Sequence, residues 1–149
     1  MTMTITAYLV EVERRTIRAV TVYPKNTLTA IRGYIGCALI DMVRIDGFHS
    51  VVVNDNGLTG ELPCFTELKD YGSPLAGNLL IIGNDDDGET VSVRRPIEDF
   101  AGMLTILYPV LSPAFEVLSG PNVFGSRVSG FNVRLKGVAP TILSASAAD

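Results

Sequence analysis

The side chains that could do chemistry in this sequence are few and far apart. One histidine, His49, and two cysteines, Cys37 and Cys64, stand among 149 residues that include no tryptophan. A nucleophile–base relay would have to pair His49 with a cysteine or serine and orient it through an aspartate such as Asp41 or Asp55. A two-residue Asp46-Gly47 turn would place Arg44 across from His49, on the same side as Met42, Val51 and Val53. That register turns Asp41 away from His49, so the relay lacks its orienting acid. A small-ligand pocket or a weak hydrolase site remains as the chemical reading, built from Arg44, His49 and Asp55 beside the loop 58–74. The simpler reading is a strand-face histidine near a turn, and it is preferred. Cys37 and Cys64 read as small hydrophobes rather than as a redox pair.

The acidic run Gly83-Asn84-Asp85-Asp86-Asp87-Gly88 has the composition of a calcium loop but the wrong spacing. With Gly88 as the turn glycine, Gly83 occupies the first ligand position and Arg94 stands where a bidentate glutamate belongs. It reads as a solvated turn. No Gly-x-Gly-x-x-Gly fingerprint and no phosphate-binding loop occurs. The residues therefore point to no catalytic group, no metal ligand and no cofactor.

The elements that would carry these residues are mostly strands. Ile5 to Val22 alternates with period two around Glu13-Arg14-Arg15-Thr16, which predicts a hairpin. Pro24 ends it, and Asn26 is placed to cap a short helix through Leu28, Ile31, Tyr34 and Ile35, closed by Gly36. Residues 38–45 and 48–53 form a second predicted hairpin, followed by a turn at Asp55-Asn56-Gly57. Residues 58–74 read as a long loop with at most a short strand or helical turn. Leu79-Leu80-Ile81-Ile82, between Gly77 and Gly83, is a strand buried on both faces, and residues 90–94 return as another strand. Pro96, Glu98 and Asp99 open a second helix, with Ile97, Phe100, Leu104 and Leu107 on one face, ending before Pro109. Phe131, Val133 and Leu135 alternate with Asn132, Arg134 and Lys136 as a half-buried strand, and residues 144–149 read as a disordered end.

Composition bounds what such a chain can do. It is 47% hydrophobic and 19% charged with a net charge of −4, and its mean hydropathy is +0.31. That balance suits one globular unit whose apolar surface is partly covered by a second copy, a homodimer or higher oligomer, because large exposed apolar patches are rare on monomers. The acidic balance argues against nucleic acid as a partner. No apolar run reaches membrane-spanning length, no signal peptide is evident, and two distant cysteines suit reduced thiols in the cytoplasm.

The order of hairpin, short helix with Gly36, Val51-Val52-Val53-Asn54-Asp55-Asn56-Gly57-Leu58, Leu62-Pro63 and Gly77-Asn78-Leu79-Leu80-Ile81-Ile82-Gly83 resembles the domain of unknown function 3846 family. The resemblance spans roughly residues 6–107, although Cys64-Phe65-Thr66 stands where the family pattern often has an asparagine. It implies a small protein of plasmids, phages or other mobile elements and brings no catalytic residues. The expected fold is α+β: a mainly antiparallel, twisted sheet with two short helices on one face. A core of residues 1–110 is followed by an extension of residues 111–149 that packs across a neighbour. The expected function is a non-enzymatic accessory protein acting by protein–protein binding, with Phe131, Val133 and Leu135 as the interface.

Overall fold

The computed structural model describes residues 4–54, 64–121 and 123–144. The expected turn at Asp55-Asn56-Gly57, the Leu62-Pro63 pair and the last five residues lie outside them. The first hairpin forms as the alternation predicts, from β1 (Ile5–Glu11) and β2 (Thr16–Val22), with Glu11 opposite Thr16. Helix α1 (Thr27–Ile35) follows a short 3-10 turn and ends at Gly36, whose φ of 83° is the left-handed conformation glycine adopts without steric cost. Asn26 holds the N-cap position but makes no side-chain capping bond. The Thr27 hydroxyl instead donates to backbone carbonyls of the preceding turn.

Strands β3 (Ile40–Arg44) and β4 (His49–Asn54) form the second hairpin. β5 (Phe65–Leu68), β6 (Leu75–Ala76), β7 (Leu79–Asn84) and β8 (Thr90–Val91) follow. A one-turn helix, α2 (Ile97–Ala101), leads into two long strands, β9 (Leu104–Gly120) and β10 (Val123–Val138), and a final short β11 (Thr141–Ile142). One sheet has the order β11-β2-β1-β7-β4-β3, with β8 also on β7; the other has the order β10-β9-β5-β6.

The architecture corrects the α+β expectation. Strand accounts for 56% of the described residues and helix for 13%, and only α1 reaches seven residues. The two helices also lie on opposite faces of the larger sheet. Successive strand residues alternate between faces. Leu80 and Ile82 pack with Ile31 and Ile35 of α1, whereas Leu79 and Ile81 pack with Phe100 and Ala101 of α2 and with Leu104 and Ile106 at the root of β9. The expected second helix stops at Ala101, and Leu104 onward is strand. Phe100, Leu104 and Leu107 fit helical spacing, but Leu104 and Ile106 also fit period two. Pairing with β5 on one side and β10 on the other decides between them.

Strand β9 runs through position 110 without a break. Among the described residues it pairs with β5 along residues 104–107, while β10 stays beside it from Ile106 to Gly120. Beyond Leu107 the two strands therefore leave the body as a ribbon, roughly 40 Å long at about 3.4 Å per residue. Both strands of the ribbon are anchored at its root. At its root β9 joins β5, and after it β11 pairs in parallel with β2, where the Thr141 and Leu143 amides donate to the Arg15 and Ile17 carbonyls.

All four apolar residues of β7, Leu79 to Ile82, are buried, at 1% exposure or less. Leu80→Ala and Ile81→Ala, which empty opposite faces of this strand, should each cost about 2 to 5 kcal/mol in urea unfolding. A cost confined to one of the two would mean that one covering layer does not pack as described.

Candidate functional site

His49 opens β4 and is 2% exposed, not a surface residue beside a turn. The neighbouring turn differs from the Asp-Gly expectation. Arg44 pairs with Ser50, one residue out of the expected register, so Arg44 and His49 project from opposite faces of the sheet. The cause is Asp46. Its carboxylate accepts the Phe48 amide at 2.8 Å and the His49 Nδ1–H at 2.9 Å, closing the turn through a side chain. The Ile45 and Asp46 amides both reach the His49 carbonyl. Gly47 is not among the glycines with positive φ, which a type I′ turn would require.

The opposite nitrogen of the ring is also occupied: Nε2 accepts the backbone N–H of Arg94 at 3.0 Å. Those two bonds together select the neutral tautomer with its proton on Nδ1. The ring edge meets Phe100 with centroids 5.1 Å apart. Arg95 completes the cluster, donating through Nη1 to Asp46 at 3.1 Å and through Nε to Asp99 at 3.2 Å. Burial alone would raise the Asp46 pKa, but the Phe48 amide, His49 and Arg95 outweigh it and hold the carboxyl down at about 2. The hydrogen bond to Asp99, followed by that to Asp46, pushes the Arg95 guanidinium above its usual value. The Tyr8 hydroxyl, which donates to the Arg95 carbonyl at 2.9 Å, is raised by burial and by the nearby Glu98 and Asp99. Neither imidazole nitrogen is left to take a proton from a substrate. Chemically the cluster is a clamp between the β3–β4 turn and the segment leading into α2.

A shallow depression of about 520 Å³ adjoins the clamp, lined by Lys69, Asp70, Arg95, Glu98, Asp99 and Met103 among others. Lys69 and Asp70 come from the expected loop, but neither Arg44 nor His49 is among its described lining residues. Asp55 lies outside the described residues. Cys37 packs beneath α1 and Cys64 against the opposite core cluster, so the sheet stands between the two thiols. Among the described residues no three of His, Cys, Asp and Glu gather to hold a metal. In the acidic turn, the Asp85 carboxylate accepts the Asp87 and Glu89 amides, and Gly88 takes a φ of 81°.

Phe131, Val133 and Leu135 lie together on one face of the ribbon. Their cross-strand partners are Pro113, Leu111 and Pro109. Phe115, paired with Val128, and Val117 extend the same face toward the tip. Leu111, Phe115, Val117, Val128, Phe131, Val133 and Leu135 are each 49% to 79% exposed. The reverse face carries Tyr108, Ser112, Glu116, Arg127, Asn132, Arg134 and Lys136, with Arg15 stacked over Tyr108 at 4.0 Å. A bulge keeps the apolar face continuous. Strict alternation from Phe131 would bring Ser129 onto that face, but the register shift between Val128 and Gly130 substitutes Val128. The Ser129 hydroxyl donates to the Ala114 carbonyl.

Sequence reasoning missed Asp46 as the partner of His49, because an aspartate before glycine is already explained by a turn. It also missed the β9 half of the apolar face. The period-two run Leu107, Pro109, Leu111, Pro113, Phe115, Val117 was its signal, disguised by the two prolines. Both prolines have one parity, so their missing amide protons fall on the same side of β9. The outer side, which has no partner among the described residues beyond Leu107, is the one that tolerates them.

These features define a two-sheet β protein with a projecting amphipathic ribbon. The chain belongs to the family Domain of unknown function (DUF3846), which matches residues 3–105. The match stops where β9 leaves the body. The chain is 34% identical over 109 residues to the uncharacterized protein y4iR of Sinorhizobium fredii (strain NBRC 101917 / NGR234), covering 73% of this chain and 68% of that one. It is 28% identical over 133 residues to the protein PsiB of Rhizobium leguminosarum bv. phaseoli, covering 87% of this chain and 99% of that one. The latter alignment is long enough to run into the ribbon. No solved structure matches the chain. Among the described residues no helix is long and apolar enough to cross a membrane.

The clamp predicts two measurable effects. His49→Leu strands the Asp46 carboxylate and the Arg94 amide and should cost about 1 to 3 kcal/mol in urea unfolding; a change under about 0.5 kcal/mol would show the clamp to be idle. The folded Asp46 pKa of about 2 lies below its ordinary 3.8. Its contribution is therefore complete above pH 3.8 and is lost as pH falls through about 2. The loss should be about 1 to 2 kcal/mol after allowing for the partial exposure of the carboxylate, and Asp46→Asn should flatten that part of the stability–pH curve.

Proposed function

We propose that this chain is a non-enzymatic accessory protein of the cytoplasm that works by protein–protein binding through the apolar face of its ribbon. The observation that carries this reading is the row of seven apolar side chains, 49% to 79% exposed, on one face of β9 and β10. Exposed apolar residues scattered singly need no explanation, but a contiguous apolar face marks an interaction surface. A two-stranded ribbon alone in water is only marginally stable, so this one gains order from whatever covers it. The clamp supports the same reading, since the one histidine of the chain is spent on architecture. An accessory role also fits the mobile-element setting that the family resemblance implies.

Site-specific photo-cross-linking in cells tests this. A photoreactive phenylalanine analogue at Phe131 or Phe115 should form a protein adduct, whereas the same group at Asn132, on the polar face, should not. Absence of adducts from both apolar positions, or equal labelling from Asn132, would overturn the reading.

A further inference from the structure

We infer that the partner on the apolar face is a second copy of this chain, the two ribbons stacking face to face about a two-fold axis near Phe131 and Val133. The inference rests on the reading of the ribbon as a binding surface and adds its occupant.

Three observations favour a second copy. The first is the geometry of the open edge. Pro109 and Pro113 interrupt the outer side of β9, and proline on an edge blocks the addition of another strand. A peptide that binds by extending the sheet is therefore disfavoured on that side. The outer edge of β10, which has no partner among the described residues and no proline, stays open, and the apolar side chains lie on neither edge but on the face. The second is area. Seven side chains of this size, each half to four-fifths exposed, leave roughly 600 Å² of apolar surface per ribbon, so complete mutual burial of the two faces removes about 1,200 Å², the lower bound for a specific interface.

The third is charge. The face itself carries none, so two copies meet there without like-charge contact and without stranding an ion. Around it, Arg127, Arg134 and Lys136 against Glu116 leave residues 104–144 at +2, whereas residues 1–103 hold nine basic and fourteen acidic residues. The ribbon's charges lie on its reverse face, so stacking on the apolar face leaves those of the two copies on opposite outer sides of the pair. Permanence points the same way: a ribbon of marginal stability needs a cover from the moment it folds, and its own copy is always at hand. The bulge at Ser129 has a role in this arrangement, because it brings Val128 beneath Phe115 and so lengthens the strip that meets its copy.

Sedimentation equilibrium of the full chain at micromolar concentrations tests the inference. The wild type should be a dimer. Phe131→Asp and Phe115→Asp, on different strands and both at exposed positions, should each raise the dimer dissociation constant at least about a hundredfold, since every substitution appears twice at a two-fold interface. Their far-ultraviolet circular dichroism should still report a folded body, and Asn132→Asp should leave the dimer intact. A wild type that stays monomeric overturns the inference, as does a dimer that survives both Phe substitutions. Photo-adducts from Phe131 to a different protein, alongside a monomeric wild type, would remove the second copy and leave the ribbon as a binding surface. Absence of all adducts would remove the surface as well.

Discussion

Two-sided burial of β7 is the constraint on which the rest of the structure depends. Four consecutive branched residues, Leu79 to Ile82, cannot share one face of a strand, so the chain has to supply a cover on each side. It does so with different materials. Helix α1 closes one side through Ile31 and Ile35, while α2 and the root of β9 close the other through Phe100, Leu104 and Ile106. Neither helix is long enough to be stable alone. Each exists because the strand beneath it offers apolar area. Glycine serves the same centre: the chain leaving β8, which pairs with β7, passes so near Gly83 that a Cβ there would collide with the Ser92 and Val91 carbonyl oxygens.

The clamp of His49, Asp46 and Arg95 sits at the margin of this core and shows how a buried polar group is accommodated. A buried imidazole is costly unless both nitrogens find partners. Here one donates to a carboxylate and the other accepts a backbone amide, while Arg95 balances the carboxylate. The arrangement joins the β3–β4 turn to the segment that enters α2. Histidine, aspartate and arginine together have the composition of a catalytic site. Their saturation by one another makes them a fastening, and a continuous row of exposed apolar side chains lies instead on the ribbon.

How much of this was legible can be judged element by element. The first hairpin, the helix ended by Gly36, the buried strand at Leu79 to Ile82 and the strand at Phe131 to Leu135 all follow from local periodicity. The candidate site was legible only in part: Phe131, Val133 and Leu135 stood out by their alternation, but their facing residues did not. Leu107 to Val117 has an equally regular alternation, interrupted by prolines that a local reading treats as breaks.

What the sequence by itself determined were the features decided within a few residues. These include the period of each strand, the left-handed glycine after α1, the turn that Asp85 and Gly88 build, and the need of β7 for cover on two faces. Backbone sterics and side-chain alternation act at that range. Tertiary structure decided among local patterns of nearly equal merit. Leu104 to Leu107 suits helix or strand until β5 and β10 pair with it. Asp46-Gly47 suits a two-residue turn until His49 and Arg95, the latter 49 positions away, claim the Asp46 carboxylate. Ser129 suits the apolar face until a bulge hands its place to Val128. β5 and β10, Arg95, and the Arg94 amide that fixes the His49 ring from 45 positions away are partners whose contacts exist only once the chain has folded.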